Sequence, residues 1–394
     1  MVVLMLGALL ASLCGGVMAL PVVEVGFNEA TIVKVEADLF MIAAHSWELG
    51  TEAEALLELQ APGLSVFRSG SIPPPSHLNP FVDGNVTEVL SIANNIVKTK
   101  APGTLPLTDG EGAVGDPASL GVAVIVANWT RENKDDQTYD IDAWEQLDYL
   151  TNVAPKTDDG AISHRADQVQ LWHVLVTGAD FVYMAPPFIA FYGAVKDEPS
   201  YLQLAYDQCR LYRQYLRDES GLWQHIVLGN STDPRHWGTG NAWAAAGMFR
   251  VLETIRHSGQ AYRFGPQQAD LTSWIHEIIS KVWQFQHPNG TLFNVIDDPT
   301  TFADSSSTAL LAAVTYRYAA LTGDVSLVPA ANRVLNLIRL SVDADGWLHQ
   351  TVDPETFDTP SLPGQFSPEG QAFVLLLHAA WRDFVSWVSG AYTP

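Results

Sequence analysis

The stretch 219-ESGLWQH-225 decides the fold, because the chain repeats it. Similar segments stand at 158-DDGAISH-164, 288-PNGTLFN-294 and 344-ADGWLHQ-350, with a looser copy at 102-PGTLPL-107. Each sets a turn former before a glycine and follows it with alternating residues, the pattern of a tight turn entering a short extended strand. Gly103, Gly160, Gly221, Gly290 and Gly346 recur at intervals of about sixty residues. Such an interval holds two helices and their connections, and six such units would consume nearly the whole chain. The pattern therefore predicts an all-α fold, an (α/α)6 barrel of six helical hairpins with short β segments in the rim loops. An open helical solenoid is the physical rival. A βαβ enzyme is disfavoured, since the strand-length pieces are short, glycine-led and too far apart for a parallel sheet.

Between the repeats lie segments of helical periodicity. The clearest are 198–216, 238–258 and 266–285; in the second, Ala242, Ala246, Phe249, Leu252 and Ile255 make a continuous apolar stripe. Further helices are expected near 27–48, 86–98, 117–129, 181–194, 304–321, 327–339 and 367–385. Pro-rich 71-SIPPPSHLNP-80 and 353-DPETFDTPSLPG-364 read as long loops.

Of the 394 residues, 47% are hydrophobic, enough for a large core. Asp and Glu outnumber Lys and Arg by 44 to 21, a formal charge of -23. That surface repels nucleic acid and anionic membrane, so neither is expected as a partner. The apolar run opening the chain ends in small residues at Gly16–Ala19, which suits a secretory signal over 1–19 followed by a single domain over 20–394. Sequons at Asn85, Asn128, Asn230 and Asn289 agree with a secreted glycoprotein. Cys14 would leave with the signal. Cys209 would stay alone in a helical pattern, so no disulfide framework, thiolate triad or zinc site can be built. A monomer is expected, without metal or cofactor.

Three places can carry chemistry. In 180-DFVYMAPPFIAFYG-193, Asp180 stands before an apolar helix whose start Pro186 and Pro187 blur. A cap or turn is its simplest role, yet apolar surroundings also raise a carboxyl toward the pKa that proton donation needs. In 237-WGTGNAWAAAG-247, Trp237, Asn241 and Trp243 enter a helix among small residues, offering either packing or a sugar-stacking face. His164, with Arg165 beside it, and His225 end two repeated loops and should emerge on one rim. Arg165 supplies positive charge for an anionic sugar. Asp116 enters an apolar helix as Asp180 does, and two carboxylates facing one cleft can perform acid/base hydrolysis.

These residues, in this order, resemble the unsaturated rhamnogalacturonyl and glucuronyl hydrolases of glycoside hydrolase families 105 and 88, family 105 more closely. The resemblance is carried by 180-DFVYMAPPFIAFYG-193, 201-YLQLAYDQCRLYRQYLRDESGLWQH-225 and 237-WGTGNAWAAAGMFRVL-252. It implies an (α/α)6 barrel that removes a terminal 4,5-unsaturated uronic acid from lyase-generated oligosaccharides. It implies Asp180 as the catalytic aspartate and Asp116 as the second one. It also implies a sugar site made by His164, Arg165, Met184, His225, Trp237, Asn241 and Trp243. Arg165 replaces the family's usual lysine, Thr239 an arginine and Ala242 a glycine; about five extra residues separate His164 from Asp180. An inverting glycosidase acting on saturated uronides and a non-catalytic sugar-binding protein are the alternatives.

Overall fold

In a computed structural model the structure describes residues 23–172, 181–353 and 355–391. Its helices are α1 (Glu29–Ile42), α2 (Ser46–Leu59), α3 (Pro80–Asp83), α4 (Thr87–Thr99), α5 (Asp116–Ser119), α6 (Gly121–Thr130) and α7 (Thr138–Asp148). The second half contributes α8 (Phe181–Lys196), α9 (Pro199–Leu216), α10 (Gly238–His257), α11 (Gly265–Val282), α12 (Ser305–Thr322), α13 (Val328–Ser341) and α14 (Pro368–Val388). Among the described residues, four two-residue strands sit in the rim loops. β1 (Leu171–Trp172) pairs antiparallel with β2 (Ile226–Val227), and β3 (Leu292–Phe293) with β4 (Ala303–Asp304).

Helices α2, α6, α8, α10, α12 and α14 form an inner ring, each packed on the next, and α14 closes back onto α2. Outside them α1 packs on α14, α4 and α7 on α6, α9 on α8, α11 on α10 and α13 on α12. Outer and inner helices alternate along the chain, so this is the expected barrel, not an open solenoid. The inner helices are buried almost all round, as helices between a core and a second layer must be.

The repeated glycines do what the rim needs. All five have positive φ, from 79° at Gly103 to 115° at Gly346, where a Cβ is penalised. Two residues after Gly160, Gly221, Gly290 and Gly346, a backbone N–H donates to a side chain of a neighbouring helix. The pairs are Ile162 to Gln208, Trp223 to Asn241, Leu292 to Thr308 and Leu348 to Gln371. Each short strand is thereby stapled to the ring.

Two expectations need correction. The helix expected over 27–48 is two helices, and α2 runs on to Leu59. Its sequence SWELGTEAEALLEL reads as solvated, yet Glu48, Glu52, Glu54 and Glu58 are all buried. Glu54 and Glu58 pair with Arg250, Arg317 joins Glu58, and Arg317 also meets Asp383 at 3.0 Å. This network ties α2, α10, α12 and α14 together toward their C-terminal ends. The second miss is α7. Asn128 also departs from expectation: it lies buried in α6, its amide donating to Asp140, while Asn85, Asn230 and Asn289 are exposed. Cys209 is buried, and burial pushes its thiol up, which leaves it unreactive. Among the described residues, no helix is long and apolar enough to cross a membrane.

Candidate active site

The inner helices point their N-terminal ends toward one face. Contacts near their starts show it: Tyr183 on Trp243, Trp243 on Phe373, Trp47 on Glu369, Thr239 on Asp304 before α12, and Ser119, at the end of α5 just before α6, on Ser46. These ends bring their free N–H groups to one mouth, together with the carboxyls of Glu48, Asp116, Asp304 and Glu369.

Helix α8 is the centre of this face. Residues Phe181 to Val195 are buried, and Pro186 and Pro187 lie inside the helix, which does not begin at them. Pro186 has no N–H to give the Val182 carbonyl four residues back. That carbonyl faces Gly247 of α10, where a Cβ would come within 2.2 Å of it. Asp180, directly before Phe181, lies outside the described residues.

Two clusters flank that first turn. On one side, the loop before α5 pairs with the first repeated rim loop: the Val114 N–H donates to the His164 carbonyl at 2.7 Å, and that of Ala166 to Gly112 at 3.0 Å. Asp116 begins α5 and is 0% exposed. Gly115 packs on Phe181 and Met184 so closely that a Cβ would lie 3.1 Å from the Phe181 ring. Asp116, His164 and Met184 thus come together beside the start of α8. Arg165, 22% exposed, lays its guanidinium against Gly112 and reaches Asp167 at 3.6 Å.

On the other side stand His225, Trp237 and Trp243. His225 is buried, and its Nδ1 meets Asp233 Oδ2 at 2.9 Å. Burial alone would raise Asp233, but hydrogen bonds from His225 and Arg235 outweigh it and hold the carboxyl well below its ordinary range. A carboxylate there keeps the His225 proton on Nδ1 and fixes Nε2 as the acceptor of the neutral ring. The His225 ring is 5.2 Å from Trp237 and 4.4 Å from Phe357. The Trp237 indole donates to Asn294 at 3.0 Å, and the Asn294 amide donates to the Phe357 carbonyl at 2.7 Å. Asn241 is fully buried, with its amide spent on Trp223 and Trp237, so it positions these residues from within the scaffold.

Trp237 and Trp243 line a cavity that α2, α12 and α14 complete. Trp47, Thr239, Ser306, Ser367, Glu369 and Phe373 are also on its wall, with Val352, Asp353 and Thr356 from a loop. Trp47 stacks on His45, ring centroids 4.4 Å apart. Thr239 donates to Asp304 at 3.3 Å. Trp47, Ser306, Ser367, Glu369 and Phe373 escaped the sequence reading. A usable signal was 367-SPEG-370, a cap, a helix-opening proline and an acidic first turn before a buried apolar helix.

Residues 116–355 match the model of the family described as Glycosyl Hydrolase Family 88. Over 181 residues the chain is 23% identical to the unsaturated rhamnogalacturonyl hydrolase YesR of Bacillus subtilis, which covers 45% of this chain and 51% of that protein. The chain thus spans about half the length of the curated relative it matches. A possible family 105 member from Salmonella enterica superposes with a TM-score of 0.68 at 18% identity, over 90% of this chain and 94% of that one. A family 88 glycosyl hydrolase from Bacteroides vulgatus gives 0.66 at 15%, over 90% and 97%. The matched region opens on Asp116 itself and takes in His164, His225, Trp237, Trp243, α8 and about half of the cavity wall: the chain belongs to Glycosyl Hydrolase Family 88.

Proposed function

We propose that this protein hydrolyses lyase-generated oligosaccharides by removing a terminal 4,5-unsaturated uronic acid, with rhamnogalacturonan fragments as the favoured class. The carrying observation is the convergence of Asp116, His164 and Met184 with His225, Trp237 and Trp243 on the first turn of α8, immediately after Asp180. The relative YesR is an unsaturated rhamnogalacturonyl hydrolase, which supports the same activity here.

The substrate is an enol ether, which accepts a proton at carbon because its ring oxygen stabilises the resulting cation. Asp180 donates a proton to C4, and the positive charge spreads over C5 and the ring oxygen. Water then adds at C5 and returns its proton to the Asp180 carboxylate. The hemiketal so formed rearranges and expels the remaining sugar. One water is consumed and the carboxyl is regenerated. Asp116, buried beside this turn, orients the water or the ring, and the indoles of Trp237 and Trp243 offer a face for the sugar. Converging helix N-termini with Arg165 favour a uronate carboxylate. Export through residues 1–19, with glycans on the exposed Asn85, Asn230 and Asn289, belongs to the same proposal.

The test is turnover of an unsaturated rhamnogalacturonan disaccharide, followed by loss of the alkene's ultraviolet absorbance. Asp180→Asn should lower the rate by about a hundredfold or more, the scale of general acid catalysis. Activity on saturated glycosides alone would assign an inverting glycosidase using Asp116 and Asp180. Sugar binding without turnover would leave a non-catalytic binder.

A further inference from the structure

The site has two unlike parts. Arg165, with His164 beside it, and His225 belong to rim loops on the α8 and α10 side, outside the cavity wall. On the α2 and α14 side, no Lys, Arg or His is among the described lining residues. That wall is made by Trp47, Ser367, Glu369 and Phe373, with Asp353 at its edge.

Glu369 sits in the first turn of α14 and is held from two sides. Its Oε1 accepts the Trp47 indole N–H at 2.6 Å, and its Oε2 accepts the Ser367 hydroxyl at 3.0 Å. A carboxylate has about four lone-pair sites, so the indole, the hydroxyl and its own N–H leave room for a further donor. The titratable groups facing it are Glu48 on α2, Asp353 on the loop, and His45 behind Trp47, which lies between Glu111 and Glu355. Glu48 is itself engaged, accepting the Ala44 and His45 N–H groups at 2.7 and 2.9 Å. Among the described residues, no Lys or Arg lines this wall. An indole beside a carboxyl and hydroxyls suits the apolar face and hydroxyl edge of a sugar, and repels a sulfate or a second carboxylate.

We infer that Glu369 is a specificity-determining residue, which takes hydrogen bonds from hydroxyls of an uncharged sugar edge and bars anionic substituents from the Trp47 side of the cavity. The inference rests on the activity proposed above and names its substrate class: unsaturated uronides whose remaining sugar is neutral. Burial, and then the Glu48 charge, push Glu369 up to about 7, so the exclusion strengthens as pH rises through neutrality.

The experiment compares wild type with Glu369→Gln on two unsaturated disaccharides, one with a neutral deoxyhexose and one with a sulfated hexosamine, from pH 5.5 to 8.5. The amide keeps the size and one acceptor oxygen, and circular dichroism checks the fold. Wild type should prefer the neutral substrate in kcat/KM, by a ratio that grows above about pH 7. In Glu369→Gln the KM for the neutral substrate should rise about three- to tenfold, while that for the sulfated one falls. The preference should shrink about tenfold or more and lose its pH dependence, since about 1.4 kcal/mol corresponds to tenfold. A preference with unchanged size and pH profile in a folded variant overturns the assignment of Glu369 while leaving the activity standing. No turnover of either substrate by wild type overturns the activity, and the assignment falls with it.

Discussion

The carbonyl of Val182 and the α-carbon of Gly247 are in direct contact: a proline four residues on leaves the carbonyl without its helical donor, and glycine leaves it room. This contact sets how deeply α8 seats against α10, and hence where the first turn after Asp180 stands relative to Trp243. A methyl group at Gly247 would meet Val182 O at 2.2 Å and Tyr183 Cα at 2.7 Å, both backbone atoms. Gly247→Ala should therefore cost about 1–3 kcal/mol, the range for overpacking a core. Thermal unfolding measures it; an unchanged midpoint would show that the two helices can part freely.

Asp233 holds His225 by Nδ1, and its depressed pKa makes the pair a pH-linked element. A depressed carboxyl contributes stability above its unfolded pKa of about 3.9 and loses it as pH falls. Asp233→Asn should destabilise at pH 7, and the gap from wild type should close below about pH 4. Turnover should also fall, by about tenfold or more, for a charged hydrogen bond of about 1.5–3 kcal/mol. Equal pH–stability curves would contradict this.

Arg165 tests the side of the site assigned to the uronate. Arg165→Ala should raise KM for an unsaturated uronyl disaccharide roughly tenfold, from the loss of a charged hydrogen bond of roughly 1.5–3 kcal/mol. An unchanged KM in a folded variant would mean that the guanidinium serves only to hold the loops at Gly112 and Asp167.

Glu52 tests the buried acid of α2. Burial first, then Glu88, Glu36 and Glu48, push it up to about 8. A raised carboxyl contributes stability at low pH that is lost as pH rises through the folded value. Glu52→Gln removes that loss. Relative to wild type its melting temperature should climb steadily between about pH 4.3 and pH 8. A difference constant with pH would show that Glu52 is not charged at a cost in the folded protein.

The rim was legible because its geometry leaves little choice. Positive φ at Gly160, Gly221, Gly290 and Gly346 calls for glycine, so the turns announced themselves and their spacing disclosed the ring. The helix at 181–196 was visible from its apolar run, although its prolines misled about where it begins. Helix α2 was hidden for the opposite reason. Its glutamates look solvated until Arg250 and Arg317, about two hundred residues away or more, are brought to meet them. The same holds for the wall of the site. Trp47 and Glu369 are 322 residues apart, and no local pattern joins an indole early in the chain to a carboxyl near its far end. His164, His225, Trp237 and Trp243 could be named as candidates because each lies inside a motif, and so could Asn241, whose amide is bonded to Trp223 and Trp237 within the scaffold.

The seam between α14 and α2 has a consequence for the gene. Trp381 donates to the Glu24 carbonyl at 3.1 Å, so the start of the described chain lies against its last helix. In a closed ring the hairpin translated first is an accident of where the reading frame is opened. A circular permutant that joins residues near 24 to residues near 391 by a short linker, and opens at the exposed turn of Gly323, should assemble the same ring. In that protein Trp47 and Glu369 would stand roughly fifty residues apart in sequence instead of 322.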